Sequence, residues 1–130
     1  MLMEKETLLA LARETARGAH CPYSHFRVGA ALVADGQLYV GVNIEISSFG
    51  LTLCAERSAL SAAVTAQAKN ITQIAIACID APAEAPDYER MPCGACRQWI
   101  ADLAPRATIY IDGCDQDFQV SDLLPFAFKL

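Results

Sequence analysis

The sequence predicts a single α/β domain, built as a three-layer α/β/α sandwich around a five-stranded mixed sheet. Segments with helix and strand character alternate in the order helix, hairpin, helix, strand, helix, strand, strand, helix. Several strand segments are continuous apolar runs, which are typical of strands that helices cover on both faces. The 130 residues suffice for one sizeable core, and no linker or repeat divides them. We therefore expect one domain over residues 1–130.

The first half of the chain contains a predicted hairpin between two helices. Residues 3–18 carry apolar side chains near helical spacing. The apolar run at 28–34 is the first strand of the hairpin, and residues 38–44 are the second. The Asp-Gly pair between them is a strong signal for a tight turn. Residues 53–68 form a helix made largely of Ala, Ser and Leu, and its small side chains predict close neighbours on all sides.

The second half alternates strands with helices. Three segments have strand character: residues 71–79, 108–111 and 118–120. A helix is predicted at 94–103, with Trp99 packed against the sheet or a partner subunit, and a short last helix is predicted with Ser121 as its N-cap. Residues 80–90 contain two prolines and mixed charge, so we expect a variable surface loop there.

Composition and charge limit the classes of function. The net charge is −5, and no Lys/Arg cluster could follow a phosphate backbone, so we expect no nucleic acid partner. The charged N-terminal segment lacks the apolar run of a signal peptide, and no later run reaches membrane-spanning length. We therefore expect a cytoplasmic protein without a membrane partner. Its six cysteines are then expected to be thiols or metal ligands rather than disulfides.

Two short blocks carry the chemistry. Cys54-Ala55-Glu56 and, thirty-nine positions after its cysteine, Pro92-Cys93-Gly94-Ala95-Cys96 each stand where a predicted helix begins. Three thiolates without an obvious fourth ligand are typical of a catalytic zinc site, which keeps one coordination position open for water. A carboxylate two residues from a ligand can reach that water as a proton carrier. The blocks therefore predict a catalytic Zn²⁺ site with Cys54, Cys93 and Cys96 as ligands and an ionised Glu56 as the proton carrier.

Other uses of these cysteines are a redox pair, buried thiols or a structural zinc. A structural zinc needs a fourth ligand. Five side chains are candidates for it, and none has a ligand's spacing to the other three: His20, Cys21, His25, Cys78 and Cys114. Three thiolates would also leave the ion with excess negative charge, which helix N-termini and a hydrogen bond from Arg57 to a sulfur would offset. Arg97 is a second candidate for that contact.

With both blocks in view, the chain resembles the small, homotetrameric, three-cysteine cytidine deaminases over almost its whole length. The signature of two such blocks is that of the zinc deaminases. Asn43-Ile44-Glu45 together with Arg57 is similar to the nucleoside branch of that superfamily. The resemblance implies one Zn²⁺ per subunit, a homotetramer, and a hydrolase that converts cytidine and 2′-deoxycytidine to uridine and 2′-deoxyuridine plus ammonia in pyrimidine salvage.

The resemblance also implies roles for individual residues. Asn43 and Glu45 would hold the ribose 3′-hydroxyl, although capping of a loop at the strand end is an alternative use of both. Phe26 would lie against the pyrimidine ring, and the Ala55 backbone N–H would meet the base carbonyl. Hydroxide on the zinc would attack C4, and Glu56 would protonate N3 and the departing amine.

The sequence departs from the family pattern around the sugar. Ile46 stands where Asn is usual, and Phe49 replaces a Tyr or a similar residue. Phe49 and Phe128 resemble residues that the family places at the active site of a neighbouring subunit. Met91 replaces the usual Ser before Pro92, but that residue acts through its backbone carbonyl, which would hold the amino group.

Three alternatives to cytidine deamination remain at this level. A blasticidin-S-type deaminase, acting on a related cytosine nucleoside, shares the three-cysteine zinc site. A polynucleotide deaminase fits poorly with the acidic charge. A non-catalytic zinc-stabilised interaction module would bind one metal and show no activity.

Overall fold

A computed structural model describes residues 2–130. It contains four α-helices: α1 Lys5–Ala16, α2 Ala55–Thr65, α3 Gly94–Leu103 and α4 Val120–Leu123. Five strands accompany them within this range: β1 Val28–Ala34, β2 Gln37–Val42, β3 Ile71–Cys78, β4 Thr108–Ile111 and β5 Asp117–Gln119. Two short 3₁₀ helices, Phe49–Leu51 and Asp87–Glu89, lie in the connections. Every predicted helix and strand is present.

The sheet is mixed, as predicted. Its strand order is β2-β1-β3-β4-β5, in which only β3 and β4 run parallel to each other. Helix α1 packs on one face through Leu8, Leu9 and Ala12. The other three helices pack on the opposite face, where the larger core cluster includes Leu60, Ile100 and residues of α4. The predicted three-layer fold class is therefore confirmed.

The helices approach the sheet closely because glycines face them. A Cβ added at Gly29 of β1 would collide with the backbone of α1, and one at Gly41 of β2 would collide with α2 at Ala59. Helix α2 can therefore lie directly on the hairpin. This contact fixes the height above the sheet at which the first residues of α2 stand.

Helix α2 is only partly covered within the single chain. One face is buried through Ala55, Glu56, Ala59, Leu60 and Ala63. The opposite face is exposed, so close neighbours on all sides would require a second copy of the chain. Small side chains allow close packing but do not require it.

The exposed side of α2 continues onto α3. Val64 borders an open apolar depression of about 540 Å³ that Trp99 and Leu103 of α3 complete. Trp99 is 37% exposed, so within one chain it is only partly packed.

One prediction in the second half of the chain is wrong. Ser121 is not the N-cap of α4, because the helix begins at Val120 with Gln119 as its N-cap. The Asp122 carboxylate accepts a hydrogen bond of 2.8 Å from the Gln119 N–H, and this side chain-to-backbone bond fixes the start two residues earlier than expected. Most of residues 80–90 are exposed, as expected of a surface loop, but Arg90 at the end of the segment is buried.

Within residues 2–130, no helix combines the length and the apolar character that crossing a membrane requires.

Candidate metal centre and active site

The three cysteines of the two blocks meet at the N-termini of α2 and α3. Cys54 is the N-cap of α2, Cys93 is the N-cap of α3, and Cys96 follows in the first turn of α3. The Cys54 and Cys93 sulfurs are 4.0 Å apart, and those of Cys93 and Cys96 are 3.6 Å apart. All three sulfurs lie within 4.8 Å of one another.

This spacing fits a tetrahedral zinc ion. With Zn–S bonds of about 2.3 Å, ideal tetrahedral geometry separates two sulfurs by about 3.8 Å. The distances of 3.6 and 4.0 Å bracket that value. In the described part of the chain, these cysteines are the only group of three or more His, Cys, Asp or Glu side chains close enough to share a metal. None of the five candidates for a fourth ligand joins them, which leaves a coordination position open.

Arg57 is bonded to the metal centre through its guanidinium. Its Nη2 donates to the Cys54 sulfur and to the Thr52 carbonyl, each at 3.2 Å. A hydrogen bond from the Cys96 thiol and the Arg57 guanidinium together lower the pKa of Cys54 to about 5. Cys54 is therefore favoured as a thiolate, the form that binds metal.

Arg97 does not contact the sulfurs. It donates from Nε to the Pro92 carbonyl at 2.8 Å and from Nη1 to the Leu123 carbonyl at 2.7 Å. It therefore joins the second cysteine block to the end of α4.

Glu56 is almost completely buried in the first turn of α2, with 4% of its surface exposed. Burial raises the pKa of its carboxyl to about 7, and the negative charge of Cys54 acts in the same direction. Burial therefore opposes the ionisation of this carboxyl group. A carboxyl with a pKa near neutrality can both accept and donate a proton.

A cavity of about 270 Å³ opens beside the metal centre. Residues expected to form the site border it: Phe26, Asn43, Glu45, Cys54, Ala55, Glu56 and Cys93. Phe49 and Phe128 do not border it, and they are 52% and 69% exposed. The Phe49 ring instead meets the Tyr23 ring edge-on, with their centroids 6.0 Å apart.

Asn43 and Glu45 are held by the backbone of the loop before β1. Asn43 accepts from the Val28 N–H through Oδ1 at 2.9 Å and donates from Nδ2 to the Phe26 carbonyl at 2.8 Å. Glu45 Oε1 accepts the N–H groups of Tyr23 and Ser24 at 3.1 and 3.0 Å.

The second carboxylate oxygen of Glu45 accepts the Ser24 hydroxyl at 2.5 Å. This hydrogen bond is the main reason that the pKa of Glu45 lies below its usual range. The loop capping considered for Asn43 and Glu45 is thus present. It places an ionised carboxylate at the wall of the cavity.

The cavity is also bordered by residues that the motifs do not mark, among them Cys78, Glu89 and Arg90. Cys78 ends β3, and burial raises its pKa to about 12, so it is a neutral thiol there. Glu89 and Arg90 belong to residues 80–90, which we call the strap. Met91, directly after the strap, also borders the cavity. The prolines and mixed charge of this segment gave no reason to place it at the site.

The arrangement combines an open metal position, a buried carboxyl group and a small cavity with polar walls. The family model of the cytidine and deoxycytidylate deaminase zinc-binding region matches residues 2–112. The chain belongs to the cytidine and deoxycytidylate deaminase family. The enzyme class expected from the sequence, a hydrolase, and the zinc cofactor are confirmed.

Individual deaminases are similar over nearly the full chain. A cytidine deaminase of Halalkalibacterium halodurans is 43% identical, covering 97% of this chain and 95% of that protein. A probable cytidine deaminase of Dictyostelium discoideum is 45% identical, covering 97% and 84%.

Solved structures of the family have the same fold. The cytidine deaminase of Burkholderia pseudomallei superposes with a TM-score of 0.85 at 36% identity, covering 97% of this chain and all of that one. The cytidine deaminase of Mycobacterium tuberculosis has a TM-score of 0.82 at 33% identity, covering 99% of this chain and 100% of that one.

Proposed function

We propose that the chain hydrolyses free cytidine and 2′-deoxycytidine to uridine and 2′-deoxyuridine plus ammonia. The observation that carries this proposal is that Cys54, Cys93 and Glu56 border one cavity of about 270 Å³. That volume lies just below the range of about 300–1,000 Å³ that is common for drug-sized ligands. A single nucleoside is therefore a better fit than a larger molecule.

Glu56 carries the protons of the reaction. Zn²⁺ held by Cys54, Cys93 and Cys96 would supply Lewis-acid chemistry that brings the pKa of water down to about 7. Net reaction adds the elements of water at C4 of cytosine and breaks the C4–N4 bond. Glu56 accepts a proton from water, protonates N3 and then assists the departing amine. The pKa of about 7 that burial gives this carboxyl suits both directions of transfer.

The walls of the cavity orient the nucleoside. Ala55 is the first residue of α2, so its backbone N–H has no partner inside the helix and can donate to the base carbonyl. Phe26 lies against the pyrimidine ring. Asn43 and Glu45 bind the 3′-hydroxyl, for which the ionised Glu45 is a strong acceptor. The hydrogen bonds that hold these two side chains preorganise them for the substrate.

We further propose a homotetramer that acts in pyrimidine salvage in the cytoplasm. The apolar surface of Val64, Trp99 and Leu103 supports assembly, because association would remove it from water. Phe49 and Phe128 lie outside the cavity of their own chain and are exposed, so they are free to contact a neighbouring chain. Sedimentation is expected to give four chains, and an active monomer would contradict this arrangement.

A substrate panel tests the proposed reaction. Purified zinc-loaded protein is incubated with cytidine, 2′-deoxycytidine, blasticidin S and single-stranded RNA or DNA, and loss of the cytosine chromophore is followed by ultraviolet absorbance. Turnover of the two nucleosides is expected. Turnover of blasticidin S with cytidine untouched would favour the related-nucleoside alternative. No turnover of any compound, with one zinc bound, would favour a non-catalytic zinc module.

A further inference from the structure

The strap is held against the cavity by a buried arginine. Arg90 is 8% exposed, and its guanidinium turns back onto the strap itself. Its Nη1 donates to the Ala85 carbonyl at 2.8 Å, and its Nη2 donates to the Pro82 carbonyl at 2.6 Å. A Cβ at Gly113 would lie 2.9 Å from the Arg90 Nε, so the turn between β4 and β5 also packs against this side chain. The strap therefore has a defined position.

This clamp brings a carboxylate to the edge of the cavity. Glu89 precedes Arg90, is exposed, and borders the cavity. In the described part of the chain its side chain forms neither an ion pair nor a hydrogen bond, unlike Glu45, which has three bonded partners. Its charge is therefore not neutralised by a partner within the chain.

The positive charge at this wall belongs to Arg90, whose guanidinium is hydrogen-bonded within the strap. Arg90 is the only cationic side chain that borders the cavity. Its two terminal nitrogens are bonded to strap carbonyls, so it does not present them to a ligand. A ligand at this wall therefore meets the free carboxylate of Glu89 in preference to a free cation.

The strap leads directly into Met91, whose carbonyl would hold the amino group of the base in the proposed binding mode. Met91 and Cys93 follow Glu89 by two and four residues and border the same cavity. Asn43 and Glu45, which we assign to the sugar, come from the separate segment after β2. A charge at Glu89 is therefore felt most by substituents on the cytosine ring.

We propose that Glu89 is a specificity-determining residue that selects among base-modified cytosine nucleosides by charge. Its carboxylate favours nucleosides with a cationic substituent, such as an aminomethyl group at C5, and disfavours those with an anionic substituent there. The inference rests on the proposed cytidine deamination and narrows the class of modified substrate. A pair of unit charges several ångströms apart near water interacts weakly, so removal of Glu89 should change the relative preference for a cation over an anion by about tenfold.

The test compares two nucleosides that differ mainly in the sign of one charge, 5-aminomethylcytidine and 5-carboxycytidine, with cytidine as the neutral reference. For each protein, kcat/KM is measured at low salt and at 0.5 M salt, or the inhibition constant against cytidine where a compound is not turned over. The variants are Glu89→Gln, Glu89→Lys and the matched control Glu84→Gln. Glu84 is an exposed carboxylate of the same strap that does not border the cavity.

The cation-to-anion preference is expected to fall by about tenfold in Glu89→Gln and further in Glu89→Lys. It should stay at the wild-type value in Glu84→Gln, and the difference should shrink in 0.5 M salt because ions screen surface charge. A preference unchanged within twofold in Glu89→Gln, or an equal change in Glu84→Gln, would overturn the role of Glu89 while cytidine turnover remains. Absence of cytidine turnover in the wild type would overturn the proposed function and this inference with it.

Discussion

Two parts of the cavity wall, the metal centre and the strap, are built in different ways. At the metal centre, Cys54, Cys93 and Cys96 come from helix starts, so local backbone geometry determines where their sulfurs point. The strap, in contrast, is positioned by bonds from Arg90 to carbonyls five to eight residues away. The geometry of the metal centre is therefore determined by the two short cysteine blocks alone. The position of the strap depends on one buried side chain, which makes the strap the region where substrate preference can change without loss of the zinc.

The largest expected effect is loss of zinc from the three-cysteine metal centre. Replacement of Cys96, which is fully buried at the centre of the thiolate cluster, by Ser should remove zinc and all detectable turnover. Metal content by atomic spectroscopy, together with cytidine turnover, measures this. Cys21→Ser is the control, since Cys21 is a buried thiol outside the cluster. One zinc per chain and normal turnover in Cys96→Ser would refute the ligand assignment.

A smaller effect is expected from the side chain that supports the cluster. Arg57→Gln removes the charged donor to the Cys54 sulfur, and such supporting contacts typically change metal affinity by about 10–100-fold. Competition with a chromophoric chelator gives the affinity. Arg57→Lys keeps the charge and should recover part of the loss. If Arg57→Gln binds zinc as tightly as the wild type, the contact has no role in metal retention.

The strap should respond independently of the metal. Arg90→Met leaves the carbonyls of Pro82 and Ala85 without their charged donor, so we expect a loss of about 1–3 kcal/mol in the free energy of unfolding. We also expect a higher KM for cytidine and faster proteolysis within residues 80–90, with one zinc retained per chain. Arg106→Met, at an exposed arginine, is the control. Loss of zinc in Arg90→Met would show that the metal centre depends on the strap.

The smallest effect concerns the first residue of the strap. Asp80 accepts hydrogen bonds from the Arg27 side chain at 2.9 and 2.8 Å, which lower the pKa of Asp80 to about 2. Because this pKa is lower in the folded chain, the stabilisation is present above about pH 4 and is lost as pH falls towards 2. The unfolding temperature of Asp80→Asn should lie slightly below that of the wild type at pH 6, as for exposed ion pairs, and the gap should narrow by pH 3. A gap that is constant with pH would contradict this linkage.

The contrast between the metal centre and the strap also explains what the sequence could predict. The strands were predictable because apolar runs such as 28–34 and 71–79 mark buried strands directly. The metal centre was predictable because ligand identity and spacing act through local helical geometry. The places of Cys78, Glu89 and Arg90 were not, since they follow from tertiary contacts that no periodicity encodes.

Local sequence was ambiguous at two helices. The small residues of α2 could not show which face stays open within one chain, and the face with Val64 is open. The preference of Ser for N-caps was a weak local signal, and the bond between Asp122 and the Gln119 N–H outweighed it at α4.

We propose above that Glu56 carries protons beside a zinc ion held by three thiolates. Glu56→Gln tests it most directly, since Gln has nearly the same shape but cannot exchange a proton at neutral pH. Steady-state turnover of cytidine is followed by ultraviolet absorbance, with zinc content and unfolding temperature recorded on the same samples. We predict that kcat falls by about 10²–10⁴-fold while one zinc and the fold are retained. Unchanged kcat in a zinc-loaded, folded Glu56→Gln protein would contradict the role of Glu56 as the proton carrier.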